Sequence, residues 1–139
     1  MLYKKILISV DNLEDEKNVI HEAMRVVKAL DAKLSVFHVN DPGAGKAHMM
    51  MGSLPLVEEK DIREAFKNLG YADMAEKMPV IIKESEDYPK EIAEASQDAD
   101  LLVIGHRHKS QIVAFLSDSI DEQVSDLIHC PMLVVPEKK

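Results

Sequence analysis

The stretch from Gly105 to Ser119 holds the residues best suited to meet an anion. It opens with a glycine that closes the most apolar run of the chain, Leu101-Leu102-Val103-Ile104, and ends on a serine that leads into a helical pattern. Glycine leaves backbone N–H groups room to approach phosphate oxygens, and a helix start adds a favourable dipole. Arg107 and Lys109, beside His106 and His108, make a basic spot on an acidic chain. The plainer reading of that spot is a set of solvated loop residues. The same stretch also carries opposing chemistry. Asp118 sets a carboxylate at the helix entrance, and Asp121 and Glu122 add two more charges within the first turn. At an effective dielectric of about 20, one like-charge pair some 4 Å apart costs on the order of 4 kcal/mol. Such a loop is poorly suited to a triphosphate. Ser119-Ile120-Asp121-Glu122 also fits a Ser-x-x-Glu capping box, which satisfies helix N–H groups without a ligand.

Other candidate chemistries fail on spacing. Gly43-Ala44-Gly45-Lys46 suggests a phosphate loop, but Asn40 stands at its first glycine position and Ala47 replaces the magnesium-binding hydroxyl. A phosphoacceptor receiver needs a lysine ending its last strand, and here Val135-Pro136 stand there. His106, His108, His129 and Cys130 invite a metal reading. The first pair follows a strand and the second precedes one, which puts them at opposite ends of a parallel sheet. Cys130 reads as a small packing residue. Met49-Met50-Met51 reads as a loop segment rather than an adaptable contact surface. No Ser/His/Asp set or carboxylate pair stands at a catalytic spacing, so no catalysis is expected.

The elements that must position these residues follow from periodicity. Ile6 to Val10 is a short apolar run stopped by Asp11-Asn12, a first strand. From Asp15 to Leu30, the apolar residues Val19, Ile20, Ala23, Met24, Val27 and Leu30 recur at spacings of three and four, which predicts an amphipathic helix with one buried face. Lys33 to Val39 reads as a second strand, and Asn40 to Leu56 as a long Gly/Pro-containing loop. A helix with Val57, Ile62, Ala65, Phe66 and Leu69 on one face follows, ending at Gly70. Val80 to Ile82 is a third strand, and Pro89 suits the first turn of a helix that turns Ile92 and Ala95 inward. Leu101 to Ile104 is a fourth strand, Ile120 to Leu127 a helical region, and Met132 to Val135 a last strand.

Alternating strands and helices with continuously apolar strands predict one open, parallel, five-stranded sheet with helices on both faces, a Rossmann-like α/β fold. Right-handed crossovers favour the order 3-2-1-4-5. The direction reverses between strands one and four, so a ligand crevice is expected where Val10-Asp11 lies opposite Gly105-His106.

The 139 residues fit a single domain spanning 1–139 and bury roughly 70% of the unfolded surface. The net charge of −8 argues against nucleic acid and against anionic membrane surfaces. A single cysteine suits a reducing compartment. Met1 to Lys5 lead straight into the first apolar run, and no stretch approaches the ~20 apolar residues of a membrane helix, so a cytoplasmic protein is expected.

The opening KKILISVD, the FHV ending strand two, the Gly105–Ser119 loop and the closing HCPMLVVP together resemble the universal stress protein family, of the A type, along all 139 residues. Nucleotide-binding members of that family carry Gly-x-x-Gly, nine residues, then Gly and Ser or Thr. This chain keeps Gly105 and Ser119, but has His108 and Asp118 at the second and third glycine positions. The resemblance therefore implies a non-catalytic stress-adaptation protein that works through protein partners without ATP or another cofactor. It also implies a homodimer through the last strand, Met132 to Val135. The alternative it leaves open is an ATP-binding switch, with adenine nucleotide held by Asp11, Val39, Gly105 and Ser119. Without a ligand, Asp11 would cap the first helix or its turn, and Val39 would simply end the apolar part of strand two.

Overall fold

The computed structural model describes residues 3–43, 56–105, 124 and 127–136. The expected helix at Ile120 to Leu127 is described only at Val124, which is helical, and Leu127. The Met49–Met51 segment lies outside the described residues. Five strands, β1 (Lys5–Ser9), β2 (Lys33–Asn40), β3 (Val80–Glu84), β4 (Leu101–Gly105) and β5 (Met132–Val135), form one parallel sheet in the order 3-2-1-4-5. The order is the one the crossover rule selects.

Alternation along the central strand divides the core. Ile6, Ile8 and Val10 turn to one face, where they meet α1 (Lys17–Leu30) and α2 (Glu59–Asn68). Leu7 turns to the other, where Phe37, Val39, Leu102 and Ile104 pack with Ile92 of α4 (Tyr88–Ala95) and with Val124. In α1 the stripe Val19, Ile20, Ala23 and Val27 is buried, as its spacing requires, while Met24 and Leu30 of the same face are only partly buried against the core.

Helix ends follow local chemistry. A single turn of 3-10 helix at Leu13–Asp15 precedes α1, so that α1 starts two residues later than the periodicity suggests. Asn12 supplies the cap, its side-chain oxygen accepting the Glu14 N–H at 3.2 Å. Gly70 closes α2 at φ +98, with open space where a Cβ would stand, so backbone conformation rather than crowding calls for glycine there. Asp87 caps α4 through Lys90 N–H, and Pro89 occupies its first turn.

Two departures concern the β3 region. A short helix, α3 (Ala72–Lys77), precedes it and is held by Arg63, whose guanidinium donates to the carbonyls of Ala75 and Met78 at 2.6 and 2.9 Å. The apolar run Val80-Ile81-Ile82 is not a doubly covered strand. It lies at the sheet edge, and Ile81 is 43% exposed. No described helix is long and apolar enough to cross a membrane.

Candidate functional site

The carboxyl ends of β1 and β2 diverge over a cleft of about 520 Å³. One wall is Asp11 to Glu14, which leaves β1 and forms the 3-10 turn. The other is the end of β2, His38 to Asp41, with Val57 and Asp61 leading into and along α2. Tyr88, at the start of α4, closes one side. A smaller recess of about 30 Å³ continues toward β4, lined by Ser9, Ile92 and Ile104. Asp11, Val39 and Tyr88 border both spaces.

Two of the four residues expected from the sequence, Asp11 and Val39, are thus brought to one place. Val39 is 5% exposed, so its side chain is a floor rather than a free contact. Gly105 ends β4, and the register pairing Ser9 with Ile104 sets it beside Val10. Ser119 lies outside the described residues, as do His106, Arg107, His108, Lys109, Asp118, Asp121 and Glu122. His129 and Cys130 precede β5, whose Met132 pairs with Leu102 near the start of β4, and Gly105 lies at the other end of that strand. Among the described residues, no three His, Cys, Asp or Glu side chains are gathered as a metal ion needs. Cys130 is half-buried against the second core face, and burial pushes its thiol up, which suits packing.

Asp11 is exposed, and the cap of the 3-10 turn after it is Asn12. Its backbone N–H donates to Glu16 Oε2 at 3.1 Å. Glu16 is only 1% exposed, a buried carboxylate bracing the turn after β1. Sequence reasoning missed it, because an acidic residue at a helix start reads as solvated. It also missed Tyr88. The phenol of Tyr88 is pushed up to about 12, first by burial and then by the charges of Asp11 and Asp41.

Burial is the larger cause of that shift, and the charges of the two carboxylates add to it. Asp11, Glu14, Asp41 and Asp61 all line the large cleft, and no Lys or Arg is among the described residues lining either space. The arrangement accommodates a neutral or cationic surface more readily than an anion. A third wall-forming feature is polar and neutral: Asn40 grips the backbone of Val57, accepting its N–H at 3.1 Å and donating to its carbonyl at 2.8 Å.

Comparison with known proteins matches these features to one group. The family model described as the universal stress protein family matches residues 2–136. A universal stress protein of Methanocaldococcus jannaschii is 32% identical, over 99% of this chain and 85% of its own length. The universal stress protein A homolog of Haemophilus influenzae is 33% identical, over 97% of each chain. Among solved structures, a universal stress protein in complex with cAMP superposes with a TM-score of 0.71 at 20% identity, covering 99% of this chain and 100% of its own. That last likeness is one of fold. With the family model matching nearly the whole chain and two relatives above 30% identity, the chain belongs to the universal stress protein family.

Proposed function

We propose that the protein is a non-catalytic universal stress protein that serves stress adaptation in the cytoplasm as a homodimer, acting through protein partners without holding ATP. The observation that carries this reading is the acidity of the crevice. Four carboxylates face the space a nucleotide would enter, with no Lys or Arg among the described lining residues. The sequence after β4 adds His108 and Asp118 at positions where backbone access to phosphate would need glycine. Dimer formation is supported by β5, an apolar edge strand paired on one side with β4 and, among the described residues, with none on the other. Such an edge is normally covered.

A second reading has one observation in its favour. Asp11 and Val39 border the same cleft and Gly105 stands next to it, which suits adenosine better than it suits the phosphates. In that reading Asp11, Val39, Gly105 and Ser119 hold an adenine nucleotide, as the solved relative holds cAMP.

The purified full chain is expected to run at twice its mass of 15.6 kDa and to release no nucleotide when denatured. Stoichiometric adenine nucleotide in the denatured supernatant would favour the second reading, and a monomer would remove the β5 pairing.

A further inference from the structure

His38 is buried, at 3% exposure, on the wall of the cleft between two oxygen acceptors. Its Nδ1 lies 2.8 Å from the carbonyl oxygen of Val10. A carbonyl only accepts, so this nitrogen must carry a proton. Its Nε2 lies 3.0 Å from Oδ1 of Asn40. The orientation of the Asn40 amide is set independently, by Val57. Nδ2 donates to the Val57 carbonyl and Oδ1 accepts the Val57 N–H. Turning the amide over would set NH2 against N–H and oxygen against oxygen, losing two hydrogen bonds to gain one. Oδ1 therefore presents a lone pair to His38, and Nε2 must donate as well. A neutral imidazole has one N–H; only the imidazolium has two.

We propose that His38 is a proton-operated tie across the crevice. With both nitrogens protonated, the ring binds the Val10 carbonyl beside β1 and, through Asn40, the Val57 backbone leading into α2. Whichever proton leaves, a nitrogen lone pair is set against an oxygen across one of these bonds, and that side of the tie opens. The residues tied are those that flank Asp11 and Val39. As regulation of the crevice, the tie rests on the crevice being the working site of the protein.

The charges around the ring come from every neighbouring element. Asp11 follows β1, Glu14 stands in the 3-10 turn, Asp41 follows β2, Asp61 belongs to α2 and Tyr88 to α4, all lining the same cleft. Glu16 braces Asp11, and on β3 Lys83 and Glu84 stand in register with Val39 and Asn40. The carboxylates that line the same cleft are the charges available to offset a buried cation. The sign follows directly. The tie is complete in the protonated form, so it holds on the acid side and is lost when the ring gives up a proton as pH rises.

The test is a nitrogen-15 NMR titration of the ligand-free full chain with pH as the variable. It follows the His38 ring nitrogens, the Asn40 side-chain amide and the Val57 backbone amide. Both ring nitrogens are expected to be protonated at the acid end. The Asn40 and Val57 signals should move in the same step, with protection of the Val57 amide falling roughly ten-fold across it. Asn40→Asp sets a carboxylate against Nε2 and should move the step to higher pH by about one unit or more, which a mere packing role would not produce. His38→Gln should remove the step. A ring nitrogen unprotonated throughout, or a Val57 amide indifferent to the His38 titration, would overturn the tie, and the wild-type titration decides this even if a variant does not fold. With no nucleotide or partner present, failure of the tie leaves the proposed non-nucleotide role intact, and ATP binding would remove that role without touching the tie.

Discussion

Replacing His108 and Asp118 together by glycine is expected to raise affinity for Mg-ATP by roughly ten- to a thousand-fold. The upper figure follows from removing one carboxylate near the phosphates, on the order of 4 kcal/mol at about 4 Å and an effective dielectric near 20. The lower allows for screening and for the carboxylates of Asp11, Glu14, Asp41 and Asp61, which remain on the cleft walls. His108→Gly contributes through access, since a residue without Cβ lets backbone N–H groups approach phosphate oxygens. The measurement is calorimetric titration of variant and parent side by side, with circular dichroism confirming the fold. Unchanged affinity in a folded variant would show that glycine access is not what separates binders from this chain.

The reach of sequence reasoning differs from element to element. The α1 stripe Val19, Ile20, Ala23 and Val27 was legible because four turns of helix repeat one pattern. The strand order was legible because short apolar runs joined by helices leave few handed crossovers. α3 was not, since its six residues bury only Ala75 and so display no period. Nor was the exposure of Ile81. Val80-Ile81-Ile82 has the composition of a doubly covered strand, although the expected order 3-2-1-4-5 already set it at the sheet edge. In the site, Asp11 and Val39 were found through the family pattern and share the cleft. Glu16, His38 and Asn40 escaped notice because polar residues at strand and helix ends ordinarily meet water. Here they are buried and bonded to Asp11 N–H, the Val10 carbonyl and the Val57 backbone.

The difference between covered and edge positions has a large energetic consequence. Phe66→Ala is expected to destabilise the protein by about 3–5 kcal/mol, from lost apolar transfer plus the cavity left behind. Phe66 is fully buried on α2, in the core face formed by Ile6, Ile8 and Val36. Total stabilities of about 5–15 kcal/mol make this a loss of about a fifth or more. Ile81→Thr, at the exposed edge of β3, is expected to cost less than about 0.5 kcal/mol. Urea denaturation of both variants checks the pair. A Phe66→Ala cost below about 1 kcal/mol, or an Ile81→Thr cost as large as that of Phe66→Ala, would mean that the assignment of covered and uncovered faces is wrong.

The central claim is that an acidic crevice keeps ATP out of this universal stress protein, and calorimetric titration of nucleotide-free wild-type protein with Mg-ATP tests it most directly. Carried to about 1 mM ligand, the titration detects binding free energies as weak as roughly −4 kcal/mol. No saturable heat is expected, and the search for function then moves to protein partners. Saturable binding in the micromolar range would contradict the claim: Mg²⁺ or the loop after β4 would then have to neutralise the cleft carboxylates, and a nucleotide-dependent switch would become the function.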